Sequence, residues 1–222
     1  CHKTKRPNSF PCLTEPFYIL GHGWGFSYLE WVCSMPKRYL YLIRNAQYAR
    51  EEESQEGTLT LEGTEQRLRT AHAIAHLPVR AIHCSPYKQV RQTAHILAQA
   101  FGISPSETPL LRQYDTFTMN DGTLTRAQLL QAADSQNQQL EAATVVFIQP
   151  PPSHDDLHEV IVCHANIIRD MICRALGVNP ASWAHMVIHN CGISCLAIDE
   201  AGNVELLSYN DVNHLPDHLQ TL

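Results

Sequence analysis

Three short runs of apolar residues constrain this chain most. They are YLYLI at 39–43, Val79–His83 and EVIVC at 159–163. YLYLI does not alternate apolar with polar residues, as expected of a strand buried on both faces in a parallel sheet; Val79–His83 reads as a second strand and EVIVC as a third, buried one. Helical periodicity separates them. Leu61, Leu68, Ala71, Ile74 and Ala75 share one face of a segment that Thr60 can cap. Ser85-Pro86 offers a capping residue and a first-turn proline for a second helix. Val90, Ala94, Leu97 and Phe101 stripe that helix, and Gly102 can end it. Ile167, Ile168, Met171, Ile172 and Ala175 line a third helix, ended by Gly177. Ala127–Ala143 is a further helical candidate, residues 103–125 are loop-rich, and residues 149–153 break the chain at the surface. Ile193–Ile198 and Val204–Tyr209 read as a hairpin. Strands alternating with helices predict an α/β layer fold.

The 222 residues suit one domain. Residues 1–36 carry no regular period, and the Met35–Arg38 segment marks a boundary. The expectation is an irregular N-terminal extension over 1–36 and a domain over 37–222. The chain begins at Cys1 rather than Met, which predicts trimming or processing, with any targeting segment upstream. The uncharged stretch PFYILGHGWGFSYL falls short of the ~20 apolar residues of a spanning helix. A surface-packed extension is the simpler reading of it, and an interfacial or partner-docking segment the sharper one. Sixteen Lys and Arg against 22 Asp and Glu leave a net charge of −6, which argues against nucleic acid as a partner. The eight cysteines include no C-x-x-C pair, so reduced thiols are expected and a zinc site is not. His72 and His76 stand one helical turn apart without a third ligand. No metal and no cofactor is expected.

Each of the three strands runs into a polar cluster: Arg44-Asn45-Ala46-Gln47, Cys84-Ser85-Pro86 with Lys88, and His164-Ala165-Asn166. Ligands of open α/β sheets bind at the carboxyl ends of strands, where helix N-termini also attract anions. Arg44, Lys88 and His164 are therefore expected to meet at one anion. Residue by residue, other readings stand beside this one. The alternatives are a surface ion-pair partner for Arg44 and a satisfied buried histidine for His164, for both of which the pocket is favoured, turn formers for Asn45 and Asn190, and a solvated residue for Lys88. A nucleophilic Cys163 has little support, since no basic cluster beyond His164 is there to lower its pKa.

Longer motifs carry a resemblance. LIRNAQY is similar to L-x-R-H-[GS], LTLEGTEQ to L-T-x-x-G-x-x-Q, and CSPYKQVRQT to S-S-x-x-R-x-x-x-T. VCHANIIRDMICRALG is similar to a second-histidine block. Over residues 37–215 the chain resembles the histidine phosphatase (phosphoglycerate mutase-like) superfamily, and within it a branch of mitochondrial protein Ser/Thr phosphatases. The resemblance implies a three-layer α/β/α fold with a mixed, mostly parallel sheet. It also implies a mechanism in which a histidine attacks phosphorus, two arginines and a second histidine hold the phosphoryl oxygens, and an acid protonates the leaving oxygen.

Carried over position by position, the resemblance puts Asn45 where the nucleophile stands, Gln113 where the acid stands and His164 as the second histidine. Arg44, Lys88 and Asn190 become the phosphate-binding set. An amide neither attacks phosphorus nor delivers a proton, and Lys88 keeps a charge but loses a guanidinium's fork. Asp115 lies two residues beyond Gln113 as a possible substitute acid. These departures imply a weak or inactive pseudophosphatase with a binding or scaffolding role. One alternative is an active phosphoprotein phosphatase in which Asn45 is an introduced replacement. A second is a small-molecule phosphomonoesterase, which the CHANIIR block and the short 103–125 segment disfavour. The implied partners are a phosphoprotein or phosphate anion and a paralogue or second copy, with membrane contact only through a segment upstream of or near the N-terminus. The implied location is mitochondrial, with the cytoplasm as the alternative. GHGWGF and LEWV match poorly the Trp-Asp motif through which this branch assembles, so large rings are not expected.

Overall fold

In a computed structural model, residues 35–51, 56–113 and 126–222 are described, with side chains given for all but 126–134, 180 and 181. The described elements belong to one unit, Ser34–Leu222. The expected extension lies outside the described residues except for its last two. So do its aromatic stretch, three of the cysteines and Asp115.

The six-stranded sheet has the order β5-β4-β6-β1-β7-β8. The three anticipated strands lie side by side at its centre: β4 (Val79–Cys84), β6 (Leu157–Cys163) and β1 (Arg38–Arg44), all parallel. A two-residue β5 (Ser106–Glu107) extends the parallel part, and the hairpin β7 (Ile193–Ile198) and β8 (Val204–Asp211) closes the other edge antiparallel. The register sets Arg44 level with Cys163 and Cys84 level with Val162. The polar clusters that follow these strands therefore emerge at one end of the sheet.

Strand alternation sorts the apolar side chains into two layers. Leu40, Leu42, Ile161, Cys163, Leu196 and Ile198 face α3 (Arg126–Phe147) and α4 (Ala165–Ala175). Ile43, Val160, Val162, Ile82 and Cys84 face α1 (Leu61–Ile74) and α2 (Lys88–Phe101). Helices on both faces of a mostly parallel sheet make a three-layer α/β/α fold. Each fully buried Leu or Ile contributes about 1.5–3 kcal/mol of burial.

Several local expectations need correction. Leu61 and Leu68 are exposed, and α1 instead buries Gly63, Gln66, Thr70, Ala71 and Ile74. Its inner face carries polar anchors because it holds a loop and the last residues of the chain. Ser85 does not cap α2, which begins at Lys88 after an uncapped Tyr87; the Ser85 hydroxyl bonds His164 at 3.0 Å instead. The polar stretch after Arg50 returns as a small ladder between β2 (Tyr48–Arg50) and β3 (Gly57–Leu59). A Cβ at Gly57 would stand 2.0 Å from the Ala49 carbonyl oxygen, so only glycine permits that approach. Thr60 does cap α1, its hydroxyl accepting from Gly63 N at 3.0 Å. Gly102 ends α2 in the left-handed region at φ 66°.

The five described cysteines, Cys84, Cys163, Cys173, Cys191 and Cys195, are free and buried. Among the described residues, no helix is long and apolar enough to cross a membrane, and no group of three or more His, Cys, Asp or Glu could hold a metal ion.

Candidate phosphoryl-binding site

Where β1 and β6 end, a cavity of about 250 Å³ opens. Arg44, Asn45, Tyr48, Gln113, His164, Ala165, Asn166, Arg169 and Trp183 line it. The parallel pairing of β1 with β6 explains the meeting of Arg44 and Asn45 with His164, 119 positions or more away in the chain.

Arg44 is the last residue of β1, locked by a turn: its amide donates to Gly192 O at 3.3 Å and its carbonyl accepts from Cys191 N at 3.0 Å. Cys191 takes φ 58° to make that turn. The guanidinium Nη1 donates to Ile188 O at 2.5 Å. Burial pulls the Arg44 pKa below the usual arginine range, and the neighbouring Arg169 charge adds to this against a counteracting Tyr48.

Asn45 follows at 2% exposure. Its side-chain Nδ2 donates to Ala46 O at 3.0 Å. Beneath it, Asn190 Nδ2 donates to Asn45 O at 3.0 Å, and Asn190 Oδ1 accepts from the Thr221 hydroxyl at 2.9 Å. Gln66 ties the same tail by donating to Leu219 O and Thr221 Oγ1, both at 2.8 Å, and accepts from Gln47 N at 2.8 Å.

His164 immediately precedes α4 and is 2% exposed. Its Nε2 lies 3.0 Å from Ser85 Oγ, and the Tyr87 ring meets its imidazole edge-on at 5.2 Å. Burial, with the positive Arg44 beside it, pushes the His164 pKa down to about 3. The imidazole is therefore neutral at pH 7.

Arg44, Asn45, Gln113 and His164 thus share one cavity. Lys88 and Asn190 do not line it. Lys88 Nζ pairs with Glu51 at 2.6 Å, and its amide donates to Glu56 at 3.2 Å. One helical residue turns a side chain by about 100°, and here it is Gln89 that points inward, fully buried, its Oε1 accepting from Gly57 N at 3.3 Å. Asn190 acts as a brace under the Asn45 backbone, its amide spent on both sides. Gln113 keeps its position through its backbone, whose carbonyl accepts from the Tyr87 hydroxyl at 3.2 Å.

Asn166 joins the lining as part of the expected His164-Ala165-Asn166 cluster, and three lining residues escaped the sequence reading: Tyr48, Arg169 and Trp183. Arg169 was hidden among the apolar positions of its helix, although it stands one turn beyond Ala165, the first residue of α4. The lining is electropositive. It holds two guanidinium groups and one neutral imidazole, and no described lining residue is a carboxylate. Such a surface suits an anion.

Comparison with known proteins bears on the fold and the family. The histidine phosphatase superfamily (branch 1) profile matches residues 40–145 and 151–212. The chain is 29% identical over 193 residues to the mitochondrial serine/threonine-protein phosphatase Pgam5 of Caenorhabditis briggsae, covering 84% of this chain and 68% of the relative. It is 28% identical over 186 residues to the human protein of the same name, covering 81% and 64%. The chain thus spans about two thirds of the length of these relatives. Among solved structures, a phosphoglycerate mutase from Plasmodium falciparum superposes with a TM-score of 0.58 at 22% identity, covering 82% of this chain and 96% of that one. A phosphoserine phosphatase from Entamoeba histolytica superposes with a TM-score of 0.62 at 19% identity, covering 81% and 100%. The fold, the motifs and the profile match converge: the chain belongs to the histidine phosphatase superfamily, branch 1.

Proposed function

We propose that this domain binds a phosphorylated Ser or Thr side chain of a protein and does not hydrolyse it at family rates. The observation that carries the reading is Asn45. It stands beside Arg44 and His164 in the cavity, where the family resemblance calls for an attacking imidazole, and its amide is tied to the Ala46 carbonyl. The amide nitrogen's lone pair is delocalised into its carbonyl, so it cannot attack phosphorus. Loss of a nucleophile alone costs about 10⁶ in kcat in a well-studied protease. Gln113 lines the same cavity without an ionisable proton to give a leaving oxygen. Arg44 still offers a planar, permanently charged fork to a phosphoryl group. The protein Ser/Thr ligand and a mitochondrial location are carried over from the names of the relatives.

Two assays test this reading. The domain, incubated with a phosphoserine peptide and with p-nitrophenyl phosphate, is expected to release no phosphate above buffer. Calorimetry is expected to show saturable binding of the peptide that fails in Arg44→Gln. Turnover comparable to that of Asn45→His would overturn the loss of catalysis. Absence of binding would overturn the phosphoryl site, and preference for phosphosugars would point to a small-molecule ligand.

A further inference from the structure

We infer that Arg169 is the second anion-binding cation of this cavity, and that a phosphomonoester dianion sits between the Arg44 and Arg169 guanidinium groups with Trp183 as its wall. The inference rests on the phosphoryl-binding reading and gives a role to a residue of the second-histidine block that the resemblance left without one.

The first support is geometric. Arg169 lies on α4 and lines the cavity opposite in sequence to Arg44 on β1. Its Nε donates to Ala165 O at 3.2 Å and its Nη1 to Met186 O at 2.9 Å. Its guanidinium carbon stands 4.7 Å from the centre of the Trp183 ring. Two carbonyls and an aromatic face fix the plane of this fork before any ligand arrives, so little rotamer freedom remains to be lost on binding.

The second support is charge. Both guanidinium groups line the one cavity, and the Arg169 charge adds to the lowering of the Arg44 pKa that burial dominates. Their hydrogen bonds go to carbonyl oxygens of Ile188, Ala165 and Met186, not to carboxylates. Two like charges at one concave site, partly desolvated and without a described carboxylate between them, are relieved by a dianion. Lys88, the cation that the motif suggests, is neutralised by Glu51 and does not line the cavity. A rival account makes Arg169 only a clip that fastens residues 183–186 to α4. A clip alone could weaken the ligand by shifting Trp183, but phosphate would then not shield Arg169 itself from phenylglyoxal.

The experiment measures inorganic phosphate and a phosphoserine peptide by calorimetry on the parent, Arg169→Gln, Arg169→Lys and Lys88→Gln, with thermal unfolding as the check on folding. Arg169→Gln is expected to weaken both ligands by roughly tenfold or more, the scale of one charge-assisted pair. Arg169→Lys should recover part of that loss, and Lys88→Gln should stay within about twofold of the parent, as expected of an exposed pair. Parent-like affinity in a folded Arg169→Gln overturns the inference while leaving the phosphoryl site intact. A parent that binds neither ligand overturns both. Should Arg169→Gln fail to fold, the parent decides: phosphate is expected to protect Arg44 and Arg169 together from phenylglyoxal, read by peptide mass. Protection of Arg44 alone overturns the inference.

Discussion

Asn190 holds Asn45 from below by its main chain, donating Nδ2 to Asn45 O at 3.0 Å while Thr221 donates its hydroxyl to Asn190 Oδ1 at 2.9 Å. Asn45, which lines the cavity, is therefore backed by a polar chain that is buried at Asn190 and half-buried at Thr221, and such chains are costly to interrupt. Asn190→Ala strands the Asn45 carbonyl and the Thr221 hydroxyl. It should destabilise the domain by about 1–3 kcal/mol, measured as a shift in the urea midpoint with an unchanged m-value. A loss within error would mean that water replaces the amide freely.

Gly63 supplies a prediction opposite to helix propensity. Alanine in a helix interior is ordinarily favoured over glycine by about 1 kcal/mol. A Cβ at Gly63, however, would stand 1.9 Å from the Gln47 carbonyl oxygen, which is backbone and cannot swing aside. Gly63→Ala is expected to destabilise by about 1–3 kcal/mol, as overpacking does, and to displace the loop that carries Gln47. A stabilised Gly63→Ala in thermal unfolding would refute the close approach.

Glu159 lies in β6 at 7% exposure. Arg38 binds its Oε2 at 2.5 Å, and His83 stands 3.3 Å from its Oε1. Burial works to raise the Glu159 pKa, but these two partners hold it below the ordinary glutamate range. Glu159→Gln leaves the Arg38 charge uncompensated and should cost about 3 kcal/mol. The double change Arg38→Met with Glu159→Leu should recover much of that loss. The comparison of single and double variants by denaturant titration is the check.

Acid sensitivity should trace to His164. Its folded pKa of about 3 lies below the ordinary 6.5, because burial and Arg44 disfavour the imidazolium. Between those two values the unfolded chain binds a proton that the folded chain refuses. The stabilisation is complete above pH 6.5 and is lost as pH falls towards 3, with a slope of up to about 1.4 kcal/mol per pH unit. Lowering the pH from 7.5 to 5 should therefore cost on the order of 2 kcal/mol from this residue. His158 and His214, also shifted down by burial, act in the same direction. Urea titrations at both pH values on the parent and on His164→Gln test the assignment, which fails if the variant keeps the full pH difference.

The layers of this fold were readable because they follow from side-chain apolarity alone. YLYLI has no polar face to give to solvent and EVIVC is buried throughout, so these strands needed helices on both sides, whereas Val79–His83 carries the exposed Arg80. The meeting of Arg44 with His164 followed from strand ends sharing one edge. Lys88 was misread because an alignment by motif tolerates a one-residue slip, whereas a helix turns that slip into a different face: Gln89 is buried and Lys88 meets Glu51. Arg169 was missed for a related reason. A single cation in an apolar stripe looks like its polar edge, and only the placement of Trp183 and Met186 reveals what it spans. Glu159 escaped notice inside EVIVC because its partners, Arg38 and His83, come from neighbouring strands. The residues that brace Asn45 come from the far end of the chain, which no local pattern connects.

The clasp between Gln66, Asn190 and residues 219–221 imposes an order on synthesis. Asn45 leaves the ribosome well before residues 219–221, which pin its support. Strands, helices and both apolar layers can assemble while the anion cradle still lacks that backing. A nascent chain stalled before Leu219 should therefore be folded yet ligand-blind, and phosphoryl recognition becomes a mark that residues 219–221 have been made and docked.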